Sequence, residues 1–256
     1  MSSFKSAVPV VHLQETDSTS SYLTTLSLHE RVEEFTVVKA DFQTAGKGQR
    51  GNSWESEMGK NLLFSIIFYP DFLEIRKQFL LSQAIALAIK EELDTFADGF
   101  SIKWPNDIYW NQQKICGTLI ENDLLGSSIQ KSIAGIGINI NQKQFHSGAP
   151  NPVSLWQITG KEHDSIAILN GIIHRIMDNY MLLKEEKAEE VSKRYHHALF
   201  RRAGMHRYKD HAGEFMASIV CVKPEGTLVL KDQTGQERKY MFKEVEYIRM
   251  IPQKKT

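Results

Sequence analysis

The chain has 256 residues, of which 31 are Lys or Arg, 31 are Asp or Glu, and 41% are hydrophobic. That length admits one large domain with a smaller one, and the ordinary apolar share excludes a disordered chain. A net charge of zero removes any general electrostatic pull toward nucleic acid or an anionic membrane.

Pro9-Val10-Val11-His12-Leu13 reads as a short strand, and Met1 to Leu13 lacks the charged start and apolar run of a secretory signal. Asp17-Ser18-Thr19-Ser20 supplies N-cap chemistry for a helix carrying Tyr22, Leu23, Leu26 and Leu28. A strand is predicted over Thr36–Ala40 and another over Leu62–Tyr69, separated by a glycine-rich stretch. Phe79 to Leu93 repeats apolar residues at helical spacing. Ser101–Trp104 starts a strand that Pro105-Asn106-Asp107 stops. Ile108–Trp110 and Lys114–Glu121 flank Asn111-Gln112-Gln113 as a hairpin, and Ser132–Asn141 is a further strand. Residues 164–200 read as helix, with Ile166, Ile168, Leu169, Ile172, Ile173, Ile176 and Met177 as its buried stripe. Beyond about residue 200, short strand patterns at Ala217–Val222, Thr227–Leu230 and Arg238–Phe242 alternate with turns, a spacing that suggests a small antiparallel barrel. The predicted division is a domain over residues 1–200 and a small one over 201–256. Apolar runs such as Ile66–Tyr69 and Ala84–Ile89 are far too short to span a membrane. Cys116 and Cys221 stand far apart in no metal-ligand pattern and read as reduced thiols, so a soluble, cytoplasmic protein is expected.

The most informative stretch is Thr44-Ala45-Gly46-Lys47-Gly48-Gln49-Arg50-Gly51-Asn52-Ser53-Trp54. Glycines let main-chain N–H groups approach a ligand closely, two cations suit a phosphate or carboxylate, and the indole offers a face for a nucleobase. The string also matches the dinucleotide fingerprint, but no helical periodicity follows it, and the Gly-Lys-Ser/Thr of a Walker loop is absent. A plain surface turn is the alternative on the loop alone.

Five local patterns occur in order: Asp17-Ser18-Thr19-Ser20 with Gln43, the loop 46–54, Lys103-Trp104-Pro105-Asn106-Asp107, Lys114-Ile115-Cys116-Gly117, and Gly135-Ile136-Gly137-Ile138-Asn139. Together they resemble the biotin–protein ligases, with the lysine of Lys-x-x-Gly eleven residues after Lys103 as the most specific sign. The resemblance implies an α+β fold: a mixed β-sheet with helices on one side, like the class II aminoacyl-tRNA synthetases, and a small C-terminal SH3-like β-barrel. It implies an ATP-dependent enzyme that condenses biotin and ATP to biotinyl-5′-AMP, with Mg²⁺ as cofactor. The acyl group then passes to a lysine of the biotin carboxyl carrier protein of a carboxylase.

The same resemblance assigns roles. Lys114, Lys47 and Arg50 are the expected catalytic cations. Ser18, Thr19, Ser20, Gln43, Lys47, Gly48, Gln49, Lys114 and Gly117 are the expected biotin contacts, Gly117 by letting its strand approach the ring. Arg50, Trp54, Lys103, Asn106 and Asn139 are the expected nucleotide contacts, and Gly135 and Gly137 relieve crowding there. Asp107 is expected either to help bind Mg²⁺ or to orient a lysine, and as a bare sequence feature it fits a turn equally well. Family members usually have Asn at the position of Ser20, and many have Arg at those of Lys47 and Gln49, so a looser hold on the adenylate is expected. The glycine loop is expected to be mobile until ligand orders it. The resemblance is to the short, catalytic-only form, without a DNA-reading domain and with no DNA partner. The oligomeric state is left open, a homodimer included. Two rival readings are a lipoate or octanoate ligase, which shares the acyl-adenylate strategy, and a non-catalytic nucleotide-binding module.

Overall fold

The computed structural model describes residues 8–48, 54–126, 128–146 and 151–248. Seven strands form one sheet: β1 (Val10–Thr16), β2 (Val37–Gln43), β3 (Leu62–Phe68), β4 (Phe100–Lys103), β5 (Asp107–Trp110), β6 (Gln113–Leu125) and β7 (Ser128–Ile138), in the order β1-β2-β3-β7-β6-β5-β4. The sheet is mixed, as expected: β1 and β2 are parallel and the other neighbours antiparallel. Four further helices follow α1 (Thr19–His29): α2 (Phe79–Leu93), α3 (Leu155–Thr159), α4 (Ser165–Lys184) and α5 (Ala188–His197).

Side chains of a strand alternate between faces, so the two faces can be read directly. Leu62, Phe64, Ile66 and Phe68 of β3, with Ala134, Ile136 and Ile138 of β7, join the main core beneath α2, α4 and α5. The residues between them face the other way. There Ile67 and Ile133 meet Leu23 of α1 in a separate small cluster with Val32 and Val38. Helices therefore cover both faces rather than one, and α1 stands alone on the second. Its short length leaves the rest of that face open for a cleft.

The helical stretch expected over 164–200 is two helices, because Glu186 between them takes a left-handed φ of 61°. Asp164 caps α4 by accepting the N–H groups of Ile166 and Ala167 at 2.8 and 3.1 Å. Ile166, expected in the buried stripe, is 47% exposed because it lies in the first turn, short of the core.

The C-terminal strands β8 (His206–Asp210), β9 (Gly213–Val222), β10 (Leu228–Asp232), β11 (Glu237–Tyr240) and β12 (Glu246–Tyr247) form a second, antiparallel sheet in the order β11-β10-β9-β8-β12. Among the described residues β11 and β12 do not pair, so the expected small β-domain is present as a five-stranded sheet. Its inward residues, including Tyr208, Val222, Leu228 and Tyr240, belong to the same core as the seven-stranded sheet.

Candidate active site

The floor of the cleft is made by two glycines. Gly117 of β6 and Gly137 of β7 are register partners in the large sheet. A methyl group at 137 would lie 2.6 Å from Cε2 of Trp54, and one at 117 would lie 3.1 Å from its Cζ3. The indole therefore rests on bare main chain, and glycine is required there for close approach. The indole nitrogen is buried with no hydrogen-bond partner among the described residues. A cavity of about 190 Å³ remains beside the ring. That is below the roughly 300 Å³ at which small-molecule sites begin.

One end of the cleft is lined with hydroxyls. Ser18, Thr19 and Ser20 open α1 and are 2%, 3% and 6% exposed. Ser18 is the N-cap residue, yet its side chain makes no capping bond; its Oγ lies 3.0 Å from Ser20 Oγ instead. The hydroxyls are thus turned into the cleft and not used to cap the helix. Thr19 donates twice to Gln43 Oε1, from its N–H at 2.8 Å and from Oγ1 at 3.0 Å. Since that hydroxyl has one proton, Ser65 Oγ at 2.8 Å must donate to Thr19. A main-chain N–H can only meet the oxygen of Gln43, so the amide nitrogen of Gln43 faces the cleft as a donor.

The other end carries charge. Lys114 Nζ is 2.7 Å from an Asp107 carboxylate oxygen and 5.6 Å from the centre of the Trp54 ring. Its main chain is fixed on both sides: the N–H donates to Asn151 O at 2.9 Å, and the carbonyl accepts from Val153 N–H at 2.9 Å. Lys47 lies instead beside the hydroxyls, its Nζ donating to Ser21 Oγ at 2.9 Å. Asn106 lines the same cavity, its amide donating to the carbonyl of Thr118. Directly behind, Cys116 is fully buried, and burial pushes its thiol up to about 12 despite the Lys114 charge, so it is inert.

Among the predicted residues, Ser18, Thr19, Ser20, Gln43, Lys47, Gly48, Trp54, Asn106, Asp107, Lys114 and Gly117 line one cavity, with Gly135 and Gly137. Gln49 and Arg50 lie outside the described residues, as does most of the loop expected to be mobile, 49–53. Lys103 and Asn139 do not line the cavity. Lys103 donates to Tyr109 Oη at 3.0 Å and sits 4.8 and 5.3 Å from the ring centres of Tyr109 and Tyr247. Asn139 is 3% exposed and ties the end of β7 to the Val153 carbonyl at 3.1 Å. Asp107 contacts Lys114 Nζ at 2.7 Å.

Ser65 escaped the sequence reading, although it is the one polar residue in the run Leu62–Phe68 and alternation places it on the glycine face. Thr118, Leu119 and Ile136 complete the wall. Lys243 also lines the cavity, and nothing local in the sequence signals it.

A model of the biotin/lipoate A/B protein ligase family matches residues 12–139, half of the chain. The chain belongs to that family. Two curated relatives of this chain are a bifunctional ligase/repressor BirA of Bacillus spizizenii, 28% identical over 81% of this chain, and a biotin–[acetyl-CoA-carboxylase] ligase of Paracoccus denitrificans, 32% identical over 59%. The matches span 65% of each of those proteins. Among solved structures, biotin protein ligase from Aquifex aeolicus in complex with biotin and ATP superposes with a TM-score of 0.78 at 27% identity, covering 94% of this chain and 99% of that one. No helix among the described residues is long and apolar enough to cross a membrane.

Proposed function

We propose that this protein is a biotin–protein ligase. It activates biotin with ATP as biotinyl-5′-AMP and transfers the biotinyl group to a lysine of the biotin carboxyl carrier protein of a carboxylase. The observation that carries the reading is the lining of one cleft: neutral hydroxyls and an amide with Lys47 bonded to Ser21 beside them, together with Lys114 paired with Asp107. A ureido ring carries both donors and acceptors, which Ser18, Ser20 and the Gln43 amide complement. An alkyl or dithiolane tail offers no such groups, and this favours biotin over lipoate or octanoate. The ligand complex of the Aquifex aeolicus relative supports the same pair of substrates.

In the first half-reaction a carboxylate oxygen of biotin forms a bond to the α-phosphorus of ATP. The bond from that phosphorus to the bridging oxygen breaks, and its electron pair leaves on diphosphate. Two anions must meet, so fixed cations lower the barrier. Lys114 is the leading candidate, with Lys47 and Arg50 as further cations. In the second half-reaction the acceptor amine attacks the acyl carbon and AMP leaves. On this reading the hydroxyls hold biotin, while Asn106 and the freed Trp54 face serve the nucleotide. Lys103 and Asn139 act from behind, holding the strand ends that carry these groups.

ATP enters as its Mg²⁺ complex. Asp107 is the one carboxylate lining the cleft among the described residues, and Lys114 already engages it. No cluster of three or more metal-ligating side chains occurs among the described residues, so they offer no cage for a resident ion.

The decisive measurement is the mass of a carboxylase carrier domain after incubation with this protein, Mg-ATP and biotin. A gain of one biotinyl group on a single lysine is expected. An unmodified carrier, with no biotin-dependent release of diphosphate, would remove the reading; octanoate-dependent release in its place would make the protein a different acyl ligase.

A further inference from the structure

Lys243 comes to the cleft from the other sheet. It lies on the turn between β11 and β12, yet lines the same cavity as Lys47, Asp107 and Lys114. The residue before it fixes the turn. The ring of Phe242 packs 5.5 Å from that of Trp104 and 5.9 Å from that of Phe79. Gly226, at φ 100°, passes so close that a methyl there would lie 3.1 Å from Phe79 and 3.2 Å from Phe242. Its carbonyl accepts the Trp104 indole N–H at 2.9 Å. The turn then closes on itself, with the Met241 N–H donating to the Glu244 carboxylate at 2.7 Å.

On this anchored turn Lys243 takes a φ of 69°, a left-handed torsion that disfavours any residue with a Cβ. Glycine would fit there without strain. The Lys243 amine makes no hydrogen bond or ion pair among the described residues, whereas Lys114 is matched by Asp107 at 2.7 Å. Lys47 meets only a hydroxyl. The cleft therefore holds two amines, Lys47 and Lys243, with no carboxylate partner among the described residues.

Resting on the ligase reading above, we infer that Lys243 is the cation that receives the diphosphate leaving ATP. As the α-phosphorus bonds to the biotin carboxylate, negative charge moves onto the departing bridging oxygen; no proton is exchanged. The hydroxyls of Ser18, Thr19 and Ser20 bring no charge to a polyphosphate, whereas Lys243 lines the cleft and stands exposed at its rim. A fixed cation there is worth most when that charge develops.

The test compares Lys243→Gly, Lys243→Ala and Lys243→Arg with the native protein in biotin-dependent diphosphate release. The glycine and alanine variants are expected to lose about tenfold in kcat/KM for ATP, with KM for biotin changed less than twofold, and arginine is expected to recover most of the loss. Lys243→Gly should melt no lower than native, since the strained torsion is relieved; this separates loss of charge from loss of fold. Given preformed biotinyl-5′-AMP, all three should biotinylate the carrier domain at the native rate, because no diphosphate takes part. Native-like kcat/KM for ATP in the glycine and alanine variants overturns the inference alone. Slower transfer from preformed adenylate also overturns it and moves Lys243 to carrier docking. A native protein without biotin-dependent release overturns the ligase reading instead.

Discussion

The hairpin of the C-terminal sheet and the cleft treat charge in opposite ways. In the C-terminal sheet every carboxylate oxygen of Asp232 is engaged. One oxygen accepts from Thr234 N–H, Thr234 Oγ1 and Gln236 N–H at 2.9, 2.6 and 3.1 Å, and the other accepts from Arg238 Nε at 2.9 Å. Asp210 accepts from Tyr240 Oη at 2.7 Å and from Arg238 at 3.3 Å. In the cleft, by contrast, Lys243, which the C-terminal sheet contributes, has no partner and Lys47 only a hydroxyl among the described residues. The difference separates polar groups that hold a hairpin from polar groups left open to a ligand. Where a buried or half-buried group is saturated by protein, it contributes to the fold. Where it is not, the vacant bonding capacity is what a substrate can use.

That contrast is broken most severely at Lys114. Lys114→Met keeps an unbranched side chain of nearly the same length and removes its charge. The rate of biotin-dependent diphosphate release is expected to fall by about two to three powers of ten, the usual effect of losing one fixed charge-stabilising contact. The melting temperature is expected to move by only a few degrees, because the Lys114 side chain is 31% exposed and its strand is held by main-chain bonds. Release at the native rate would remove Lys114 from the chemistry and with it the central support for the ligase reading.

A smaller effect is expected at Gly137. Alanine there would place its methyl 2.6 Å from the Trp54 ring, so the indole must lift from the floor. Tryptophan emission should shift to longer wavelength as the ring meets water. Biotin affinity, followed by titration calorimetry, should fall about tenfold, or about 1.4 kcal/mol, from loss of the close main-chain approach. Unchanged emission and affinity would mean that the glycine floor serves only the packing of the unliganded protein.

How much of this was legible in the sequence differs between the same two regions. The helix Phe79–Leu93 and the strand run Leu62–Phe68 follow from apolar periodicity, because tertiary burial there agrees with local pattern. The cleft was readable because its residues lie in short strings, Ser18-Thr19-Ser20, Lys114 to Gly117 and Gly135 to Gly137, whose spacing survives folding intact. Ser65 was hidden by its apolar neighbours, and only its alternation with Phe64 and Ile66 marked it. Lys243 could not be read at all. Its place at the cleft depends on Phe242 meeting Trp104 across two sheets, a contact that no local pattern encodes. β8 and α3 escaped for a different reason: His206–Asp210 is polar at four of five positions, and Leu155–Thr159 is too short to show a period.

The mildest test lies in the saturated region. Asp232→Asn keeps the shape but turns an amide N–H toward a donor and removes the charge facing Arg238. The bond from the Thr234 hydroxyl, with those from Arg238 and the turn N–H groups, holds the Asp232 carboxyl down at about 2, below its ordinary value near 4. A depressed carboxylate contributes stability that is fully present above its ordinary value and is lost as the pH falls through the folded one. The variant should therefore melt a few degrees below native at pH 7, with the gap closing between about pH 4 and pH 2 in matched thermal scans. Diphosphate release at pH 7 should stay at the native rate, since Asp232 holds a hairpin and does not line the cleft. A gap that persists unchanged to pH 2 would mean that the hairpin draws its stability from shape alone, and the distinction between saturated and open charge would then rest on the cleft by itself.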